Sequence, residues 1–128
     1  MTVDLFLFST HVETIQASVP AGVAGVIVDC EQGGKAQRQQ QRDTQISTAT
    51  MDDLRAVRAC TTARVICRIN PYGPSTRDEV AEACDAGADE VLLPMVRTLG
   101  EVERTLELAR GRGRLGIMVE TQEAVALQ

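Results

Sequence analysis

Three places along this chain hold side chains whose types and spacing suit chemistry on oxygen: Asp29 with Glu31, Arg68 with Asn70, and Met118 with Glu120. In an extended segment alternate side chains share a face, so Asp29 and Glu31 point the same way, about 6.6 Å apart. Two carboxylates this close repel unless a cation, a hydrogen-bond donor or water stabilises them. Their hard oxygens suit Mg²⁺ or Mn²⁺, and an arginine beside them can grip a substrate carboxylate through two parallel hydrogen bonds. The chemistry indicated is the holding of negative charge on oxygen. Zinc held by thiolates is not indicated, because Cys30, Cys60, Cys67 and Cys84 show no C-x-x-C spacing.

Each of these places closes a short apolar run. Phe6 to Phe8, Val26 to Val28, Val65 to Cys67, Val91 to Leu93 and Ile117 to Val119 all pass into polar or special residues. Buried parallel strands with a site at their carboxyl ends read this way. Helical patterns lie between the runs. Thr76 with Glu79, and Thr98 with Glu101, fit the capping box; Thr50 precedes Asp52 and Asp53, acids favoured in a first turn. Gly87 and Gly111 sit where helices end in a left-handed residue. Val80 with Cys84, and Val102 with Leu106 and Ala109, are the expected inward faces. The alternation predicts an α/β domain of about five βα units over residues 1–128.

Composition narrows the partners. A net charge of −5 and three aromatic residues argue against a nucleic-acid partner. No apolar stretch approaches the ~20 residues of a membrane span, and the amino terminus lacks the basic start of a signal peptide. The cysteines read as reduced core residues, so a cytoplasmic protein is expected. Gly33 to Thr44 is a polar loop after the second strand, where Lys35, Arg38 and Arg42 could meet an anion. Gly111-Arg112-Gly113-Arg114-Leu115-Gly116 matches G-x-G-x-x-G, but it closes a helix instead of opening one and is expected to be a plain loop. His11 is expected at a helix start.

Asp29-Cys30-Glu31, Cys67-Arg68-Ile69-Asn70, Gly87 to Val96 and Gly116 to Thr121 follow one another in this chain as the motifs of the HpcH/HpaI aldolase and citrate lyase β family do. The resemblance runs over nearly the whole chain, and Gly87 to Val96 is its most specific part. It implies a (β/α)₈ barrel, a divalent metal (Mg²⁺ or Mn²⁺), and reversible carbon–carbon cleavage through the enolate of a pyruvate-like 2-oxo acid or an acyl substrate such as an acyl-CoA. By position, Glu120 resembles a metal-ligating carboxylate, and Arg68 the arginine that binds substrate oxygens and the developing enolate. Glu31 resembles the acid near the metal-bound water, with Asp29 its strand partner. Pro94 and Met95 are expected to meet substrate. The aldolase branch carries a histidine where this chain has Gln32, whose amide cannot exchange a proton near neutral pH.

A whole barrel needs eight strands and ~250 residues. The family's second metal-ligating Asp is expected on the strand after Gln128, so these 128 residues alone are expected to be inactive. The expectation is therefore a partial barrel, partnered by a completing barrel segment or by copies of itself. Two alternatives stay open: a non-catalytic partial barrel serving assembly, and a five-stranded flavodoxin-like sheet, for which this length is normal.

Overall fold

The structure, a computed structural model, describes residues 3–32 and 48–127. Strands β1 (Phe6–Phe8), β2 (Gly25–Asp29), β3 (Arg64–Arg68), β4 (Glu90–Leu93) and β5 (Arg114–Ile117) alternate with helices α1 (Val12–Ser18), α2 (Met51–Cys60), α3 (Thr76–Asp85), α4 (Leu99–Ala109) and α5 (Gln122–Ala126). All four strand pairings are parallel, and the spatial order is β1-β2-β3-β4-β5. A flavodoxin-like sheet would reverse direction at a switch point, with order 2-1-3-4-5. Here each connection steps one strand onward, and residues of all five described helices pack on one shared core. The result is an arc of a (β/α)₈ barrel.

The two faces of the arc differ in chemistry. Val26 and Val28, Val65 and Cys67, and Val91 and Leu93 point toward the helices and pack with Ile15, Leu54, Val57, Val80, Ala83 and Ala109 in one buried core. Their neighbours of opposite parity, among them Phe8, Ile27, Asp29, Arg64, Arg68 and Glu90, form the concave face, which in a closed barrel is the interior. Cys30 and Cys67 lie in the core, and the four cysteines are free thiols. The Cys30 thiol bonded beside it, together with burial, pushes the Cys67 thiol up and keeps it protonated. No described helix is long and apolar enough to cross a membrane.

Local signals hold in most places and shift in four. Thr50 makes a complete capping box with Asp53, and Gly87 and Gly111 adopt φ of 111° and 77° just past α3 and α4. His11 caps α1, its ring Nδ1 meeting the Thr14 N–H. Thr98 caps α4, but Glu101 accepts from the Arg97 N–H, so only half of that box forms. Thr76 is not a cap: α3 starts from Ser75, while the Thr76 hydroxyl turns back to accept from Gly73 and Glu79 is drawn to Asn70. On α4 Val102 and Ala109 face the core as expected, but the third inward residue is Thr105, fully buried with its hydroxyl donated to the Glu101 carbonyl, while Leu106 is 53% exposed. The fifth strand pairs earlier than its apolar run, because β4 ends at Leu93, before Pro94, and a left-handed Met95 follows.

Candidate functional site

Arg68 ends β3 on the concave face, and its neighbours arrive from every other side. From β2, Asp29 lies directly opposite in register and receives Nε at 3.0 Å and Nη2 at 2.5 Å, a two-toothed pair. From β1, the Phe8 ring lies 5.5 Å from the guanidinium carbon, within reach of a cation–π contact. Beyond β5, the Met118 sulfur stands 3.6 Å from Nη1. The hydrogen bond to Asp29 raises the Arg68 pKa against the opposing effect of burial, and the charges of Glu31 and Glu120 add to the rise. Of the residues singled out by spacing, Asp29 and Met118 touch this cation and Glu31 and Glu120 act on it through charge, whereas Asn70 is bonded to Gln32 and Glu79. The fork predicted to grip a substrate carboxylate is closed on Asp29, which leaves Nη1 as the nitrogen directed away from that pair.

The acids are set by backbone contacts. Asp29 Oδ1 also accepts from the Glu31 N–H at 3.1 Å, and Asn70 Oδ1 accepts from the Gln32 N–H at 2.6 Å. Glu120 Oε1 accepts from the Met95 N–H at 2.8 Å, and the Thr121 hydroxyl donates to the Val96 carbonyl, tying the two rim loops together. Met95 holds φ at 53°, uncommon for a side chain with a Cβ. Of the two residues predicted to meet substrate, Pro94 is buried and Met95 contributes its backbone N–H to Glu120. A cavity of about 220 Å³ opens beside Asp29, lined by Phe8, Ser9, Thr10, Ile27 and Asp53 among others. Lys35, Arg38 and Arg42 lie outside the described residues.

Sequence reading missed a second charged layer. Arg64 pairs with Glu90, which is 9% exposed, and stacks over Phe6 at 5.5 Å. Both residues share strand parity with site residues, and that their charges meet depends on the stagger between β3 and β4. At the opposite end of β3, burial works to raise the Asp89 carboxyl, but the Val65 N–H and Arg58 hold it below its ordinary value.

Among the described residues, no three His, Cys, Asp or Glu side chains come together in a way that could hold a metal ion. Asp29 is committed to Arg68, and Glu120 stands as a single carboxylate on the Met95 amide. The described residues therefore do not fit a complete divalent-metal centre, which needs six or more oxygens with carboxylates among them.

Comparison with known proteins bears on both fold and family. The sequence pattern of the HpcH/HpaI aldolase/citrate lyase family matches residues 3–126. No curated protein sequence gives a significant match. Among solved structures, an HpcH/HpaI aldolase from Desulfitobacterium hafniense DCB-2 superposes with a TM-score of 0.62 at 18% identity, covering 98% of this chain and 43% of that one. A mandelate oxidase superposes with a TM-score of 0.61 at 16% identity, covering 88% of this chain and 40% of that one. At these identities the likeness is one of fold, and the chain spans less than half the length of either structure.

Proposed function

Because the chain belongs to the HpcH/HpaI aldolase/citrate lyase family, we propose that it forms the Arg68-bearing part of a carbon–carbon lyase acting on a pyruvate-like 2-oxo acid or an acyl substrate. The observation that supports this reading is the fixing of Arg68 at the carboxyl ends of the strands by Asp29, Phe8 and Met118. When the bond beside a carbonyl-bearing carbon breaks, its electron pair moves onto the carbonyl oxygen as an enolate. A guanidinium already held in place stabilises that oxygen without reorganising at the moment of reaction. With Nε and Nη2 bound to Asp29, Arg68 offers Nη1 to one oxygen and is suited to the enolate more than to both oxygens of a carboxylate. Toward a cation such as Mg²⁺ or Mn²⁺ the described residues supply Glu120, and the charge stabilisation assigned to this chain rests on Arg68. Gln32 leaves the general base to another group.

A second reading, a non-catalytic partial barrel, is favoured by the lack of a metal-holding cluster among the described residues. Cleavage assays with 2-oxo acid and acyl-CoA substrates separate the two. The 128-residue chain alone is expected to show little or no turnover, whereas co-expression with a segment supplying further βα units should restore solubility first and activity second. A folded, soluble complex that cleaves neither substrate class would establish the non-catalytic reading.

A further inference from the structure

We propose that Asn70 and Glu79 are positioning residues that set where Glu31 stands beside Arg68. The inference rests on the reading above that Glu31 and Arg68 share a substrate site. The turn after β2 is held at two successive amides: the Glu31 N–H is taken by Asp29, and the Gln32 N–H by Asn70 Oδ1, 38 residues away in sequence. Whether Asn70 can accept from Gln32 depends on which way its amide faces. An asparagine carries its acceptor and its donor on opposite arms, and a flipped amide would present NH₂ to an N–H. Glu79, arriving from the first turn of α3, decides the orientation. Its Oε1 receives both the Asn70 backbone N–H, at 3.3 Å, and the Asn70 Nδ2, so the Asn70 oxygen is left to face Gln32.

The cost of this arrangement is visible. Glu79 Oε2 is buried with no hydrogen-bond partner among the described residues, an expense that packing alone does not explain. It is accounted for when Oε1 has the task of orienting Asn70. With Ser75 as the N-cap of α3, the capping-box position falls on Asp78, which leaves Glu79 free of the cap and available to the rim.

Hydrogen–deuterium exchange of the full chain, resolved to the Glu31 and Gln32 amides by fragmentation in the mass spectrometer, tests the geometry without requiring turnover. In Asn70→Ala and in Glu79→Leu the Gln32 amide should exchange about tenfold faster, the effect of losing one hydrogen bond. Core amides of Val65 and Val91 should keep their rates. Glu79→Gln retains an acceptor for Asn70 and should preserve most of the protection. Should Asn70→Ala unfold, Glu79→Leu carries the same test from α3. Unchanged Gln32 exchange in Glu79→Leu would overturn the proposal. Calorimetry with oxalate, which resembles an enolate, then reads the functional part: Asn70→Ala should weaken binding severalfold, and Arg68→Ala should abolish it. Oxalate affinity that Arg68→Ala leaves unchanged would refute the Arg68 site while the exchange result stood. Affinity lost in Arg68→Ala but intact in Asn70→Ala would refute the positioning role.

Discussion

Arg68 owes its place to three different forces: a charge-assisted fork from Asp29, the face of Phe8 and the sulfur of Met118. Arg68→Lys keeps the charge but cannot make two planar contacts to Asp29 at once. Under the proposed lyase function, in a complex with further βα units, it should lower kcat/KM by about 10- to 100-fold, the worth of a charge-assisted hydrogen bond of ~1.5–3 kcal/mol. Steady-state kinetics on a 2-oxo acid check this, and unchanged kinetics would leave Arg68 with a packing role only. Asp89 gives a pH test. Its folded-state pKa lies below the ordinary 3.8, so its contribution is complete above 3.8 and is lost as pH falls through the lower folded value. Asp89→Asn should cost about 1 kcal/mol at neutral pH, a modest figure because the carboxylate is half exposed, and the difference should shrink in acid. Urea titrations of both proteins at pH 7 and pH 3 read it. Asp29, Glu31, Arg68 and Glu120 were legible as strand-end residues of set parity; the closing of the fork on Asp29 was not, because it requires β2 and β3 in register.

At the scale of elements, close approach between β2 and β3 places a demand on one residue. A Cβ at Gly25 would lie 2.4 Å from the Arg64 carbonyl oxygen, and backbone there cannot yield without moving a strand. Gly25→Ala should therefore destabilise by about 1–3 kcal/mol, and chemical denaturation should show it as a lower midpoint. Thr50→Ala removes one arm of the box at the start of α2 and should cost about 1 kcal/mol. A Gly25→Ala or Thr50→Ala protein as stable as wild type would refute the corresponding assignment. Cap signals worked where the threonine stood alone before its helix, as Thr50 and Thr98 do. They failed at Thr76, where a turn from Gly73 and a rim contact from Asn70 competed for the same side chains.

The whole molecule presents an arc with β1 and β5 at its edges, and apolar side chains beside both: Leu5 and Phe8 at one, Ile117, Val119 and Val125 at the other. Unpaired parallel edges next to exposed aliphatic surface favour association. The 128-residue chain is expected to self-associate, and light scattering should report species larger than its 13.8 kDa. A stable monomer turning over substrate at ordinary rates of ~1–10³ s⁻¹ would contradict the partial-barrel account. Hydrophobic runs, turn glycines and alternation are local properties, and they were enough to indicate five βα units, the residues that share a face at several strand ends, and the family motifs. Spatial order is not local. A sequential arc and a flavodoxin-like sheet have the same run of strands and helices, and only the face on which each crossover packs separates them. The pairing of Arg68 with Asp29, of Arg64 with Glu90 and of Asn70 with Gln32 likewise waited on tertiary structure, because each joins residues that strand register, not sequence distance, brings within a hydrogen bond.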